Sequence, residues 1–294
     1  MSPVEGSTGR AVPPRFCASS PHHVTAIFKP YYGVDIPSTG SVGAGLVLEP
    51  RVRVCAPGGV QVESIGVSTV GRVLELLGYK APLDIVAPLP PGVGFAVSAA
   101  SAIASSLAVG AGLGFSYRRL LRVAHEAEVL ERTGLGDVLA ISCGVGLAVR
   151  VKPGAPGVGE VDCTPLPPGV SILALVVGAR HTRELIRLYV ERGLDVKAEA
   201  SIARIAESMS FSVFAEEATR FSLENGLLRE LLGGEGEHTV MKTPGIIAAY
   251  AKKGVAIILV ESDRVGDAIS HLSSLKHKLL TLEQSRGGPE IWVP

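Results

Sequence analysis

The sequence predicts an α+β protein built as two domains. Three observations lead there. Strand-like and helix-like segments alternate in both halves of the 294 residues. A stretch rich in glycine and proline, "KPGAPGVGEVD", follows residue 151 and reads as a boundary. Hydrophobic residues make up 47% of the chain, enough to bury a core of that size. The expected division is a disordered tail over 1–14, a first domain over 15–151 and a second over 152–294.

The opening "MSPVEGSTGRAVPPRF" carries proline, glycine and serine without an apolar run, so it reads as a short tail and not as a signal peptide. "HHVTAIFKPY" and "GAGLVLEPRVRVCAPGGVQVESIGV" have the valine, isoleucine and leucine content of strands, with "APGG" expected to turn a hairpin between "RVRV" and "VQVESI". "STVGRVLELLG" has helical spacing, Ser68 or Thr69 as its cap and Gly78 as its stop. "LDIVAPLP" reads as a strand that feeds the next loop.

Ile85 to Tyr117 contains no charged residue. A membrane span is excluded there because Pro88, Pro90, Pro91, Gly92 and Gly94 break the first third. What remains is a loop followed by a buried helix of small residues from about Ser98 to Val109. "SYRRLLRVAHEAEVLERTG" is a second, amphipathic helix that ends at Gly134, and "DVLAISCGVGLAVRV" follows it. The second half reads as a strand, "SILALVVG", then helices "TRELIRLYVERG", "VKAEASIARIAESMSFSVFAEEATR" and "NGLLRELLGG". A strand "GVAIILVES" and a last helix "RVGDAISHLSSLKHKLLTLE" complete it.

Lys and Arg total 28, as do Asp and Glu, with no long block of one sign, which argues against nucleic acid and against an anionic membrane surface. Cys17, Cys55, Cys143 and Cys163 are far apart with no CxxC pair; a zinc site and a dense disulfide framework are both unexpected, and a cytoplasmic location is the default. Amide side chains are reduced to Gln61, Asn225 and Gln284, which suits either a hot habitat or a biased codon composition.

The chemistry begins at "PPGVGFAVS". A glycine-containing loop that opens a helix gathers free backbone N–H groups at the positive end of the helix dipole, where a phosphate is favoured. Ser98 either caps that helix or turns its hydroxyl to a phosphate-bound metal. Plain architecture meets the same pattern, and the loop lacks the ending of a P-loop. The second signal is "AHEAEVLERTGLGDV". Glu126 and Glu128 lie on a helix, Asp137 follows across a glycine-punctuated turn, and two such carboxylates serve a hard cation and a hydroxyl to be deprotonated. The bland alternative is a wetted face formed by His125, Glu126 and Glu131, with Asp137 as a helix cap.

Together these segments resemble the GHMP kinase superfamily, named for galactokinase, homoserine kinase, mevalonate kinase and phosphomevalonate kinase. Its second motif, P-x-x-x-G-L-G-S-S-A-A, aligns with "PPGVGFAVSAA" and places Ser98 at the second serine. The resemblance implies an N-terminal α/β domain like ribosomal protein S5 domain 2 and a C-terminal ferredoxin-like α+β domain. It implies ATP and Mg²⁺, with phosphates held by the loop from Pro91 through Gly92, Val93, Gly94, Phe95, Ala96 and Val97 to Ser98. Mg²⁺ would fall to Ser98 and Glu128, and the acceptor hydroxyl to Asp137.

Within the superfamily "SPHHVTAIFKPY", "STGSVGAGLVLEP", "TGLGDVLAISCGVGLAVRVKPGAPG" and "HTRELI" are similar to archaeal pantoate kinases. That likeness implies phosphorylation of pantoate to 4-phosphopantoate for coenzyme A synthesis, with Arg150 gripping the carboxylate and His23, or His22 beside it, completing the pocket. It leaves a homodimer open. His181 and Arg183 are weaker candidates for the cleft, and Lys29 is left out of the site. The sequence departs from the pattern at Ala96 and Val97, at Val42 where a basic residue is expected, and in "MKTPGIIAAYAKKG", which has lost most glycines of the third motif. The other readings are a related kinase of mevalonate, phosphomevalonate or homoserine, and an inactive nucleotide-binding sensor.

Overall fold

A computed structural model describes residues 14–60, 67–179 and 182–294, with the side chains of Val60 and of residues 182–186 left aside. Most of the expected tail, the segment "QVESIG" and His181 lie outside the described residues, as does the side chain of Arg183.

The first sheet is antiparallel. Its path runs β10–β1–β2–β4–β5, with β3 also on β2. These strands are β1 (Phe16–Tyr31), β2 (Gly40–Val60), β3 (Leu83–Val86), β4 (Leu147–Lys152), β5 (Glu160–Thr164) and β10 (Glu290–Trp292). β1 is buried from Cys17 to Phe28 because both of its faces are covered, and it takes Ser19, Ser20, His22, His23 and Thr25 into the interior with its apolar residues. Its register against β2 shifts at Pro21, which has no N–H to give to the ladder, and again beside Ala26.

Four helices cover one face of this sheet: α1 (Ser68–Leu77), α2 (Val97–Gly112), α3 (Tyr117–Glu131) and α4 (Asp137–Cys143). α2 is buried on nearly all sides, as an uncharged helix of small residues must be. A Cβ at Gly110 would overlap the Leu120 side chain, so the glycine lets α3 approach. Gly78 ends α1 in the left-handed conformation expected of it. The cap is different from the expected one. Val67 holds that position, and the Thr69 hydroxyl donates to the Ser98 carbonyl (3.0 Å), tying α1 to α2.

The second sheet has the order β7–β8–β6–β9, from β6 (Val170–Val176), β7 (Ile246–Lys252), β8 (Val255–Glu261) and β9 (Lys278–Leu282). Around it lie α5 (Thr182–Glu191), α6 (Leu194–Ser208), α7 (Phe211–Glu224), α8 (Leu227–Met241) and α9 (Val265–Leu272). The largest apolar cluster joins β1, β2 and β4 to β6, β7, β8, α6 and α7, so one core runs between the two sheets. The free edge of β7 is blunted by α7: the amides of Ala249 and Ala251 donate to Thr219 Oγ1 (3.0 Å) and Ser222 Oγ (3.2 Å).

Several expectations are corrected. "APGG" makes no turn; it continues β2 and reaches β3, where a Cβ at Gly58 would overlap the Asp84 amide. The segment read as one helix from Val196 to Arg220 is two, α6 and α7, parted at Met209, whose φ is 47°. "KLLTL" is strand β9 and not the end of a helix. The cysteines, spaced too widely to suggest pairing, form the disulfides Cys17–Cys55 and Cys143–Cys163. Neighbouring strands place the first pair opposite one another; the second ties the end of α4 to β5. Among the described residues no helix is long and apolar enough to cross a membrane.

Candidate functional site

The turn "TGLGD" brings the acidic residues together because it has room for no side chain. A Cβ at Gly134 would overlap Glu128 Oε2 and lie 3.1 Å from Asp137 Oδ2. A Cβ at Gly136 would overlap Ser41 Oγ and lie 2.8 Å from Arg150 Nε. Two glycines thus let α3, α4, β2 and β4 converge on one point.

Asp137 opens α4 and faces a cavity of about 160 Å³, with 23% of its side chain exposed. His23 Nδ1 donates to Asp137 Oδ1 at 2.7 Å, and the Thr25 hydroxyl approaches the same oxygen at 3.4 Å. Burial opposes ionisation of Asp137, but the His23 hydrogen bond and the nearby Arg150 and Lys252 outweigh it and hold the carboxyl below its usual range. His23 is fully buried; burial lowers its pKa and keeps it a neutral donor through Nδ1. It lies behind Asp137 and, like Ser98 and Glu128, is not part of the cavity lining; its hydrogen bond goes to the carboxylate. His22 is out of the site: its Nδ1 donates to the Phe95 carbonyl (3.1 Å), and burial draws its pKa down to about 4.

Glu128 is 2% exposed, so it forms no wetted face. Neither does His125, which is buried and donates to the Thr39 carbonyl (3.0 Å). Glu126 stays outside the cavity wall. Burial, and then Asp137, push Glu128 up to about 7, against hydrogen bonds from Thr133 (Oγ1 to Oε1, 2.6 Å) and Ser98. Its Oε2 is buried and has no partner. A buried carboxylate with a vacant oxygen and a serine hydroxyl at its side is an oxygen set of the kind a hard divalent cation takes, and a cation there would relieve the repulsion from Asp137. Ser98 therefore does not cap α2.

The loop before α2 is folded against the second half. Gly94 has φ 132°, and a Cβ there would crowd the Lys252 carbonyl at 2.6 Å; the Gly254 amide donates to the Val93 carbonyl (2.8 Å). Ala96 takes the left-handed conformation (φ 50°) that a glycine adopts without strain. No side chain caps α2, so its first amides are uncommitted to one. Of the loop residues Gly94 and Ala96 line the cavity, whereas the side chains of Val93, Phe95 and Val97 are buried in the core and Pro91 and Gly92 are exposed.

Arg150 lines the cavity while 1% exposed. Its Nε donates to the Ser41 carbonyl (3.3 Å), Nη1 has no partner, and burial draws its pKa down to about 10. Val42 is half-buried against the core, so no cation enters from that position. Lys29 pairs with Glu199 away from the cavity.

Three cations were not foreseen. Arg192 lines the cavity, and so do Lys252 and Lys253, where β7 turns into β8. The signal was the "AKKG" of the eroded third motif, a tight strand-to-strand turn whose Gly254 would overlap the Gly178 carbonyl if it carried a Cβ. Burial brings Lys252 down to about 7 and lowers Lys253. The lining includes Arg150, Arg192, Lys252 and Lys253 against the carboxylates Asp137 and Glu230, an excess that suits an anionic ligand. The opposite wall is apolar, from Phe28, Leu188, Leu194 and Leu227.

Comparison with known proteins gives the family. Residues 67–145 match the GHMP kinases N terminal domain. The pantoate kinase of Thermococcus kodakarensis is 30% identical, over 93% of this chain and 97% of that protein. That of Methanocaldococcus jannaschii is 25% identical, over 72% and 81%. A solved structure described as a phosphotransferase related to the CoA biosynthesis pathway shares the fold, with a TM-score of 0.80 at 23% identity, over 95% of this chain and 99% of that one. By its near full-length likeness to the Thermococcus enzyme and its GHMP match, the chain belongs to the pantoate kinase family of the GHMP kinases.

Proposed function

We propose that this protein phosphorylates the hydroxyl of pantoate with ATP. The observation that carries the reading is the meeting of Glu128 and Asp137 at Gly134, beside a cavity whose other charged groups are four cations, Arg150, Arg192, Lys252 and Lys253, and one carboxylate, Glu230. Phosphoryl transfer rests on positioning and charge neutralisation, and those are what the residues offer.

The uncapped amides at the start of α2 and the loop from Gly94 to Val97 accept the phosphates of the nucleotide, with Lys253 on the same side as Glu128. Ser98 and Glu128 hold Mg²⁺, which when bound neutralises phosphate charge. Arg150 holds the acceptor carboxylate through the unpartnered Nη1. Asp137, kept ionised and oriented by His23, hydrogen-bonds the acceptor hydroxyl and takes its proton late, since a weakly basic carboxylate suits a loose transition state. His23 is a positioning residue. The apolar wall receives the methyl groups of the acid. The expected setting is the cytoplasm.

The test is ADP release with MgATP against pantoate, mevalonate, phosphomevalonate and homoserine. The expected result is turnover with pantoate far above the rest. A higher kcat/KM for another alcohol would reassign the substrate, and nucleotide binding without ADP release from any of them would make the chain a sensor.

A further inference from the structure

We infer that Lys252 is a second cation for the acceptor carboxylate, sharing it with Arg150, and that the pair makes the site select a hydroxy acid over a neutral alcohol. This rests on the kinase reading above and adds a residue to it.

Lys252 is fixed in place by its backbone. It ends β7, pairs with Val255, and its carbonyl packs on Gly94 of the phosphate loop. The side chain crosses the cavity to the face of Phe28, with Nζ 4.0 Å from the ring centroid, and the ring stacks in turn on Tyr189 at 4.4 Å. An aromatic face attracts an ammonium group but leaves its N–H bonds unsatisfied. Among the described residues no carboxylate lies within ion-pair distance of Lys252. Even a half-buried ammonium without such a partner is costly, and desolvation lowers its pKa.

The two lysines of the turn divide the work. Lys253 is coupled electrostatically to Glu128 as well as to Asp137, whereas Lys252 is coupled to Asp137 and Arg150. Lys252 therefore stands with Phe28 and Arg150 at the acceptor end, where an incoming anion meets the unpartnered Nη1 of Arg150 and an ammonium group held over an aromatic face. A bidentate carboxylate suits one planar guanidinium and one point charge.

The experiment compares wild type, Lys252→Met and Lys252→Arg, with pantoate and its neutral amide as acceptors. Met keeps an unbranched side chain beside Phe28 and removes the charge. The expected result for Lys252→Met is a KM for pantoate raised about 10- to 100-fold, with kcat and the KM for ATP nearly unchanged. Arg should restore most of the loss, and kcat/KM for the amide should be the same in Met variant and wild type. A thermal-shift titration reads binding without turnover, and Lys252→Met should lose the shift given by pantoate while keeping that given by MgATP. An unchanged KM for pantoate, or a raised KM for ATP in its place, overturns the inference. Should wild type bind pantoate without phosphorylating it, the kinase reading fails and the titration alone decides on Lys252. Should it do neither, both fail.

Discussion

His23 on the first strand donates a 2.7 Å hydrogen bond to Asp137, the opening residue of a helix more than a hundred positions later. That contact fixes the rotamer of the carboxylate that faces the cavity and keeps it ionised. Asp137→Asn is expected to lower kcat by about 10²- to 10⁴-fold with little change in the KM for ATP. His23→Ala keeps the carboxylate but frees it, and a cost of about a hundredfold is expected. The His23 bond lowers the Asp137 pKa, so its removal raises that pKa and moves the acid limb of the kcat profile upward. Steady-state kinetics across pH on both variants checks this.

Gly134→Ala tests whether the two carboxylates need their shared turn. The added methyl group would overlap Glu128 Oε2 and crowd Asp137. The expected outcome is a fall in kcat of about a hundredfold together with a higher Mg²⁺ requirement. Circular dichroism should stay that of the wild type, and retained activity would show that the carboxylates act apart.

Glu217 is 4% exposed and held in a fork: Arg204 donates to both of its oxygens (2.6 and 2.8 Å) and Arg220 to one. Burial pushes its pKa up, but hydrogen bonds from Arg204, Ser201 and Arg220 outweigh that and bring it from 4.5 down to about 2. A carboxyl with a lowered pKa stabilises the fold above its unfolded value and loses that contribution as pH falls toward the folded one. The Tm gap between wild type and Glu217→Gln should be full near neutrality and close between about pH 4.5 and 2. A gap independent of pH would refute the assignment.

The Cys143–Cys163 disulfide ties the far end of α4, the helix that Asp137 opens, to β5. Replacing both cysteines by serine is expected to cost about 2–4 kcal/mol. Guanidinium unfolding of the oxidised proteins measures it, and the wild type under reducing conditions, which open Cys17–Cys55 as well, should lose more. Both the variant and the reduced wild type should also show faster loss of activity on heating than the oxidised wild type.

Much of the first half was readable before any coordinates. The loop before α2, the helix of small residues, Glu128, Asp137 and Arg150 lie within about sixty positions, where punctuation by glycine and proline marks each change of element. What escaped came from contacts distant in sequence. Lys252 and Lys253 arrive from a β-turn of the other sheet, and their glycine-poor surroundings hid them. Cys17 and Cys55 pair because β1 and β2 are in register, which spacing alone does not reveal. Met209 breaks a helix without being glycine, proline or asparagine, so no local signal marks the division of α6 from α7. The hydrogen bond from His23 to Asp137 joins residues 114 positions apart, so the sequence could not show it.

The last strand returns to the first: Glu290, Ile291 and Trp292 pair with Ser19, Ala18 and Cys17, and the Pro289 carbonyl accepts from Tyr117. Cutting the polypeptide after Gly287 would strip β1 of a neighbour and leave bare amides on its outer border. Trp292 is also the sole indole of the 294 residues. Its fluorescence is a built-in gauge of whether that clasp is shut, readable in the unlabelled protein at any temperature or denaturant concentration.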